Sequence, residues 1–265
     1  MKNKEEEALF AGRIRDLARQ AGQNDYLTHT GFLSLSEQAR ADAVLRDEGT
    51  GYSRPLFYGG NREADRKVLL FLPSYMEAEE TIAAEDAGDG VTACLEVRVR
   101  GARFTKEIGH RDCLGALMHL GIGREQIGDI LLTPDGTCAY IYVLAAMADH
   151  IRRELVTIGC AHVDISVVPP SACTVKPILV PGSGSIASVR IDSLIATVFH
   201  ISRSAAQDIV SREEVFADGR TVRSSAWEPP AGCRISVRGH GKLIYDGEEK
   251  TTKKGRIVVN YRVFA

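Results

Sequence analysis

The stretch Ile201–Val222, ISRSAAQDIVSREEVFADGRTV, predicts a helix that begins after Ser202 and a strand that turns at Asp218-Gly219. Ser202 is a favourable N-cap, because its hydroxyl can accept a hydrogen bond from an N–H group of the first turn. Arg203 follows at once, although the positive end of a helix dipole favours an anion. The sequence therefore predicts that an anion binds opposite Arg203.

A second helix is predicted just upstream, at about Ile191–Phe199, and it is preceded by PGSGS at 181–185. The composition of PGSGS is that of a flexible joint between domains. We therefore expect residues 186–265 to form a small domain of two helices and a small β-sheet.

The charge is distributed unevenly along the chain of 265 residues. Residues 186–265 contain 13 Lys and Arg against 9 Asp and Glu, whereas residues 1–185 contain 20 against 26. Such asymmetry is typical of a basic module that meets a polyanion, attached to a mildly acidic body. The hydrophobic content of 44% is that of an ordinary globular protein.

The rest of the chain predicts an α+β fold. Residues 1–65 have a helical pattern, and residues 66–180 alternate in the order β-β-α-β-β-α-β, with a hairpin at Asp135-Gly136. This order indicates a small α+β sandwich and is also compatible with an RRM-like fold. Tyr140 and Tyr142 share one strand face, where we expect them to pack under a helix; base stacking is the alternative.

Several classes of protein lack their sequence signatures here. The first twenty residues contain no signal-peptide run, and the longest apolar stretch is too short to cross a bilayer. The six cysteines form no CxxC pair, so we expect reduced thiols, no metal and a cytoplasmic protein. No cofactor loop or nucleophile–base pair stands out, so the sequence predicts no enzyme and no cofactor. We also expect the protein to be a monomer.

The C-terminal motifs resemble the alpha-L RNA-binding domain, the type named after protein four of the ribosomal small subunit. The resemblance is carried by Arg190-Ile191-Asp192, Ser202-Arg203-Ser204, Ala206-Gln207 and Asp218-Gly219-Arg220. The chain departs from this family at 212–214, Asp218 and 232–233. The resemblance to the alpha-L domain implies that the anion opposite Arg203 is an RNA phosphate. An ion pair between Arg203 and Asp208 or Glu213 is the alternative.

Most of the chain is similar to YlmH-type proteins of Gram-positive bacteria, through RKVLLFLP, HRDCLGALMHLGIGREQIGDILL, SRSAAQ and RGHGKL. The resemblance implies a non-catalytic RNA-binding protein that contacts rRNA or tRNA on the ribosome or its large subunit. The implied roles are translation or ribosome quality control, with a link to cell division. An RNA-modifying enzyme with its site in residues 60–170, and an adaptor of the division machinery, are the alternatives.

The candidate RNA-binding residues form two groups. The first group lies around the two helices and comprises Arg190, Ser202, Arg203, Ser204, Gln207 and Arg220. The second group lies in the basic tail, where a hairpin tip is predicted, and comprises Arg238, Lys242, Lys250, Lys253, Lys254 and Arg256. Cations of this kind contact phosphates, although a solvated surface is the alternative for the tail.

Overall fold

The computed structural model describes residues 2–47, 54–61, 64–101, 107–176, 178–252 and 255–264. The chain is α+β, as predicted, and divides into two compact units, Met1–Val175 (unit 1) and Lys176–Ala265 (unit 2). Thr28–His29 of the predicted N-terminal segment pair with Val68–Leu72 of the segment that follows, and both strands lie in unit 1. Within the described residues, no helix is long and apolar enough to cross a membrane.

The described residues of unit 1 form five α-helices and eight strands. The helices are α1 (Lys2–Asn24), α2 (Leu35–Asp47), α3 (Ala78–Ala87), α4 (His110–His119) and α5 (Ala145–Glu154). The strands are β1 (Thr28–His29), β2 (Arg54–Tyr58), β3 (Val68–Leu72), β4 (Thr92–Val99), β5 (Ile127–Leu132), β6 (Cys138–Leu144), β7 (Thr157–Ile158) and β8 (Ala161–Val168).

The main sheet of unit 1 is antiparallel, with the strand order β5-β6-β4-β8-β7. Leu95, Ile141 and Val143 point to one face of this sheet and pack with residues of α4 and α5 in a single core. The chain order β4-α4-β5-β6-α5-β8 is the βαββαβ order of an RRM-like fold. The Asp135-Gly136 turn joins β5 to β6, and Gly136 has the positive φ of 60° that such a turn requires.

The opposite face of the main sheet is covered by a second, three-stranded sheet in the order β1-β3-β2. Residues 1–65 are thus not only helical, since β1 and β2 flank the fully buried strand β3. Tyr140 and Tyr142 lie beneath this layer at 5% and 0% exposure, so the prediction that they pack under a helix is wrong. Their hydroxyls donate to Glu96 Oε1 at 3.0 Å and to the Pro170 carbonyl at 3.3 Å.

Where the structure describes unit 2, it has two α-helices and one six-stranded antiparallel sheet in the order β11-β10-β12-β13-β14-β9. The helices are α6 (Ile191–Val198) and α7 (Arg203–Ser211). The strands are β9 (Leu179–Ile186), β10 (Val215–Ala217), β11 (Arg220–Thr221), β12 (Arg234–Val237), β13 (Gly241–Thr251) and β14 (Ile257–Phe264). Helix α6 buries Leu194, Ile195 and Val198 against this sheet in one core.

The prediction of a flexible joint at 181–185 is wrong, because these residues belong to β9. The strand pairs with β14 along its whole length, from Ile186 opposite Ile257 to Leu179 opposite Phe264. A Cβ added to Gly182 would come within 2.5 Å of the Tyr261 ring, and one added to Gly184 would come within 2.4 Å of Thr197 Cγ2. The two glycines thus allow a close approach to the Tyr261 ring and to helix α6 rather than a hinge.

Candidate functional site

The start of α6 is built around Asp192, a carboxylate with no exposed side-chain surface. Arg190 is the N-cap of α6, and the first N–H groups of the helix already have acceptors: Ile191 N donates to the Trp227 carbonyl at 2.8 Å and Asp192 N to that of Ser225 at 3.4 Å. A carboxylate in the first turn is favoured by the helix dipole. The apolar residues that follow anchor α6 in the core and so fix the position of Asp192.

Three polar side chains from two helices converge on this carboxylate. Gln207 Nε2 donates to Asp192 Oδ2 at 2.8 Å, and Arg203 Nε donates to the same oxygen at 3.0 Å. Arg190 Nε donates to Oδ1 at 3.3 Å, and the backbone N–H of Ser193 donates to Oδ1 at 2.8 Å. We call Arg190, Asp192, Arg203 and Gln207 the Asp192 cluster.

The electrostatics of the Asp192 cluster keep the carboxylate ionised. Burial raises the pKa of Asp192, but the hydrogen bonds from Gln207, Arg203 and Arg190 lower it by more, so this pKa lies below its ordinary value. Two guanidinium groups therefore share one negative charge, and the cluster carries a net positive charge. The Arg203 side chain is 50% exposed and that of Arg190 31% exposed, so the excess charge faces solvent.

Arg203 already has an anionic partner within the chain. Its partner is Asp192, eleven residues upstream, rather than the alternatives Asp208 or Glu213. Glu213 instead pairs with Arg223 at 3.1 Å. Arg203 therefore has a structural role in joining α7 to α6, and any phosphate must bind to its exposed part. Binding of a phosphate there stays a prediction.

The other predicted residues of α7 are where the sequence places them. Ser202 is the N-cap of α7, as predicted, and its hydroxyl accepts a hydrogen bond from Ala205 N at 3.1 Å. The hydroxyls of Ser202 and Ser204 lie 2.9 Å apart. Gln207 shares the helix face of Arg203, as expected from their spacing of four residues, and both reach the same oxygen. Arg220 lies exposed on β11, outside the Asp192 cluster.

The basic tail is less uniform than its sequence suggests. Arg238 is exposed in the turn between β12 and β13, whereas Lys242 is half-buried and desolvation lowers its pKa. Lys250 is exposed near the end of β13 and pairs with Glu249 at 3.1 Å. Arg256 Nε donates to Ser185 Oγ at 3.1 Å, which ties the β14 end of the hairpin to β9.

Lys253 and Lys254, which the sequence places at the hairpin tip, lie outside the described residues. Of the tail candidates that the structure describes, Arg238 and Lys250 are exposed, Lys242 is half-buried, and Arg256 contacts β9 through its side chain. The tail is thus a mixture of structural and exposed cations.

Sequence reasoning missed Asp192 as the centre of the site. Its signal was present: a carboxylate at the second position of an apolar helix, two residues after Arg190, with another arginine opening the next helix. A buried carboxylate requires partners of opposite charge. The identity of these partners depends on how α6 packs against α7, which the sequence does not show.

Unit 1 contains a cleft of about 650 Å³ at the end of β2, beside α3. It is lined by Phe57, Tyr58, Gly59, Gly60, Asn61, Lys67, Glu79, Ile82, Ala83, Asp86 and Ser171. Burial raises the pKa of Cys94 to about 12 and that of Cys113 to about 11, so these two thiols stay protonated and are poor nucleophiles. In the part of the chain that the structure covers, no group of His, Cys, Asp or Glu could hold a metal ion.

Comparison with known proteins finds a family match, a similar protein of known name and a similar solved structure. Residues 93–171 match the family described as "Putative RNA-binding domain in YlmH". The chain is 26% identical over 259 residues to "Ribosome-associated protein quality control protein P2" of Bacillus subtilis (strain 168), covering 97% of this chain and 95% of that protein.

The fold is similar to that of "Cell division protein ylmH from Streptococcus pneumoniae", with a TM-score of 0.50 and 16% identity, over 64% of this chain and 95% of that one. Apart from Thr92 at the start of β4, strands β4 to β8 and helices α4 and α5 lie within the matched range of the family. Residues 93–171 therefore match the RNA-binding domain family of YlmH, and the chain is homologous to the B. subtilis protein.

Proposed function

We propose that this protein is a non-catalytic, cytoplasmic RNA-binding protein whose unit 2 is an alpha-L domain. Its partner is structured RNA, rRNA or tRNA, on the ribosome or its large subunit, and its role lies in translation or ribosome quality control. The observation that carries the proposal is the Asp192 cluster, a fixed pair of guanidinium groups with excess positive charge at a helix start.

The geometry suits phosphate binding because the cations are positioned before the ligand arrives. The Asp192 carboxylate fixes one edge of the Arg203 guanidinium through Nε, and the exposed half of the side chain remains accessible. Fixed donors lose less conformational entropy on binding than free side chains. Arginine and a helix N-terminus are both common phosphate ligands, and here they lie in the same turn.

Two further findings support the proposal. Unit 2 is the cationic part of the chain, since residues 186–265 have 13 Lys and Arg against 9 Asp and Glu, whereas residues 1–185 have 20 against 26. The family matched by residues 93–171 is described as RNA-binding, and the B. subtilis homologue is named as ribosome-associated. The face of the main sheet that α4 and α5 leave free is covered by β1, β2 and β3, so its side chains are not accessible to RNA. We therefore propose that the principal RNA contacts are made by unit 2.

A direct test compares Arg203→Ala with Arg212→Ala in binding to structured RNA. Both arginines belong to or cap α7 and pair with a carboxylate, but Arg212 lies at the opposite end of the helix, where it contacts Glu214 at 3.0 Å. We expect Arg203→Ala to weaken RNA binding by about 1–3 kcal/mol and to lower the salt slope by about 1. Arg212→Ala should change neither. Equal effects of the two variants would contradict the site.

The cellular test is sedimentation of the tagged protein in lysate at low and high salt. Co-migration with free large subunits that is lost at high salt is the expected result, since phosphate contacts release counterions. Migration with soluble proteins alone would favour an adaptor of the division machinery. Altered rRNA modification in a strain without the protein would favour an enzyme that uses the cleft of unit 1.

A further inference from the structure

We propose that Phe199 and His240 form a stacking platform for one unpaired RNA base, next to the Asp192 cluster. This inference rests on the proposed function and extends it, because it specifies an RNA loop or bulge rather than a continuous duplex. The ring centroids of Phe199 and His240 lie 5.8 Å apart, with their planes tilted by 45°. Phe199 caps the C-terminus of α6, and His240 belongs to the turn between β12 and β13.

The two rings differ in burial in the way that a platform requires. Phe199 is half-buried and packs against the core of unit 2, whereas His240 is exposed. The turn backbone lies against Phe199, since a Cβ added to Gly241 would come within 3.5 Å of that ring. A core side chain thus supports an exposed aromatic ring from below.

The backbone around His240 leaves room for a ligand. Gly239 and Gly241 flank this residue with φ of 80° and 132°, and a Cβ added to Gly239 would meet nothing within 4 Å. The φ of 53° at His200, directly after Phe199, belongs to the end of α6, where Ile201 N donates to the Ala196 carbonyl at 3.1 Å.

The platform adjoins the cations of the Asp192 cluster along the chain. Phe199 and Arg203 are four residues apart, so their Cα atoms are separated by at most about 14 Å. Arg238 is exposed in the same turn as His240. Proteins that bind single-stranded RNA combine cations that contact phosphates with aromatic rings, histidine included, on which bases stack.

The test uses three substitutions of His240 in the full-length protein and two RNA probes. One probe is a short stem–loop with 2-aminopurine placed at each loop position in turn, and the other is a blunt duplex of the same stem. His240→Phe keeps an aromatic ring, His240→Lys keeps only a cation, and His240→Ala keeps neither. The emission of Trp227, which packs against the core of unit 2, checks that each variant is folded.

We expect His240→Ala and His240→Lys to weaken stem–loop binding by about 5–30-fold, in line with the stacking energy of one base. His240→Phe should retain wild-type affinity, and 2-aminopurine should be quenched at one loop position by the wild type and His240→Phe only. Duplex affinity should be unchanged in all three variants. Wild-type affinity of His240→Lys for the stem–loop, or no effect of any variant, would overturn the proposal and leave a protein contact as the role of the pair.

Arg203→Ala separates this proposal from the proposed function. It should weaken binding to both probes, because phosphates occur in both. If Arg203→Ala weakens binding and the His240 variants do not, only the platform is wrong. If the wild-type protein binds neither probe, the proposed function and the platform both fail.

Discussion

Replacing Asp192 with Asn should destabilise unit 2 more than any other single change in the Asp192 cluster. The substitution keeps the shape of the side chain but removes the charge that two guanidinium groups share. Hydrogen bonds to charged groups contribute roughly 1.5–3 kcal/mol each, and breaking a fully buried ion pair costs about 3–5 kcal/mol. Because Arg203 is 50% exposed, water can partly replace the lost carboxylate, and we expect a loss of about 2–3 kcal/mol.

The measurement can be made on unit 2 alone within the intact protein. Trp227 is the single tryptophan of the chain, and its carbonyl accepts the hydrogen bond from Ile191 N at the start of α6. For a domain of 60–100 residues, about 1 kcal/mol shifts Tm by roughly 4–8 °C, so the Trp227 transition should fall by about 10–20 °C. The matched control is Asp208→Asn. Asp208 lies on the exposed face of α7, so this change should alter the free energy of unfolding by less than about 0.5 kcal/mol.

The pH dependence gives an independent check on the same residue. The folded-state pKa of Asp192 lies below its unfolded value of about 3.9, so its stabilising effect is present above that pH and is lost as pH falls through the folded-state pKa. The difference in Tm between the wild type and Asp192→Asn should therefore be constant near neutral pH and shrink below about pH 4. A variant that melts within about 2 °C of the wild type at neutral pH would refute the central role of Asp192.

Three further predictions concern the fold and the tail. Gly60→Ala should destabilise unit 1 by at least about 2 kcal/mol in circular-dichroism melts, because the φ of Gly60 is 82° and the added Cβ would lie 2.2 Å from the Tyr142 ring. The control Gly12→Ala, in open space on α1, should stabilise the protein slightly. A fragment of residues 176–265 should fold, whereas one of 186–265, which lacks most of β9, should melt lower by Trp227 emission. The salt slope of RNA binding should fall by up to about 3, without loss of stability, when Ser replaces the tail lysines Lys250, Lys253 and Lys254.

The local features of unit 2 could be read from its sequence because their causes are local. An N-cap serine, an apolar helical spacing and an Asp-Gly turn each act within a few residues, and Ser202, α6 and the turn at Asp218-Gly219 all lie where they were predicted. The same holds for the Asp135-Gly136 hairpin of unit 1. Local hydrogen-bonding and backbone preferences determine these elements with little help from tertiary contacts.

The features that the sequence did not predict depend on contacts between distant residues. Strand β9 consists largely of Gly, Ser and Pro, which have low strand propensity, and it is a strand because β14 offers it a partner. Helix α3 was missed because the apolar spacing of AEETIAAEDA is weak, and its buried positions include polar Thr81 and Glu85. Glu85 is acceptable there because its carboxylate accepts hydrogen bonds from Val91 N at 2.7 Å and Thr92 N at 2.8 Å.

The same distinction explains why Asp192 was not predicted as the partner of Arg203 within the chain. A cation at a helix start is unfavourable by about 0.3–1 kcal/mol, and the sequence reveals that cost but not the group that offsets it. In the fold, one buried carboxylate offsets the cost for two arginines, so the cluster remains positively charged after its internal pairing. Because of this excess charge, we expect two variants to differ in how they divide their effect between stability and RNA affinity. Asp192→Asn should lose mainly stability, whereas Arg203→Ala, which leaves Arg190 and Gln207 on the carboxylate, should lose mainly RNA affinity. Equal ratios of the two losses would mean that the cluster only joins α6 to α7.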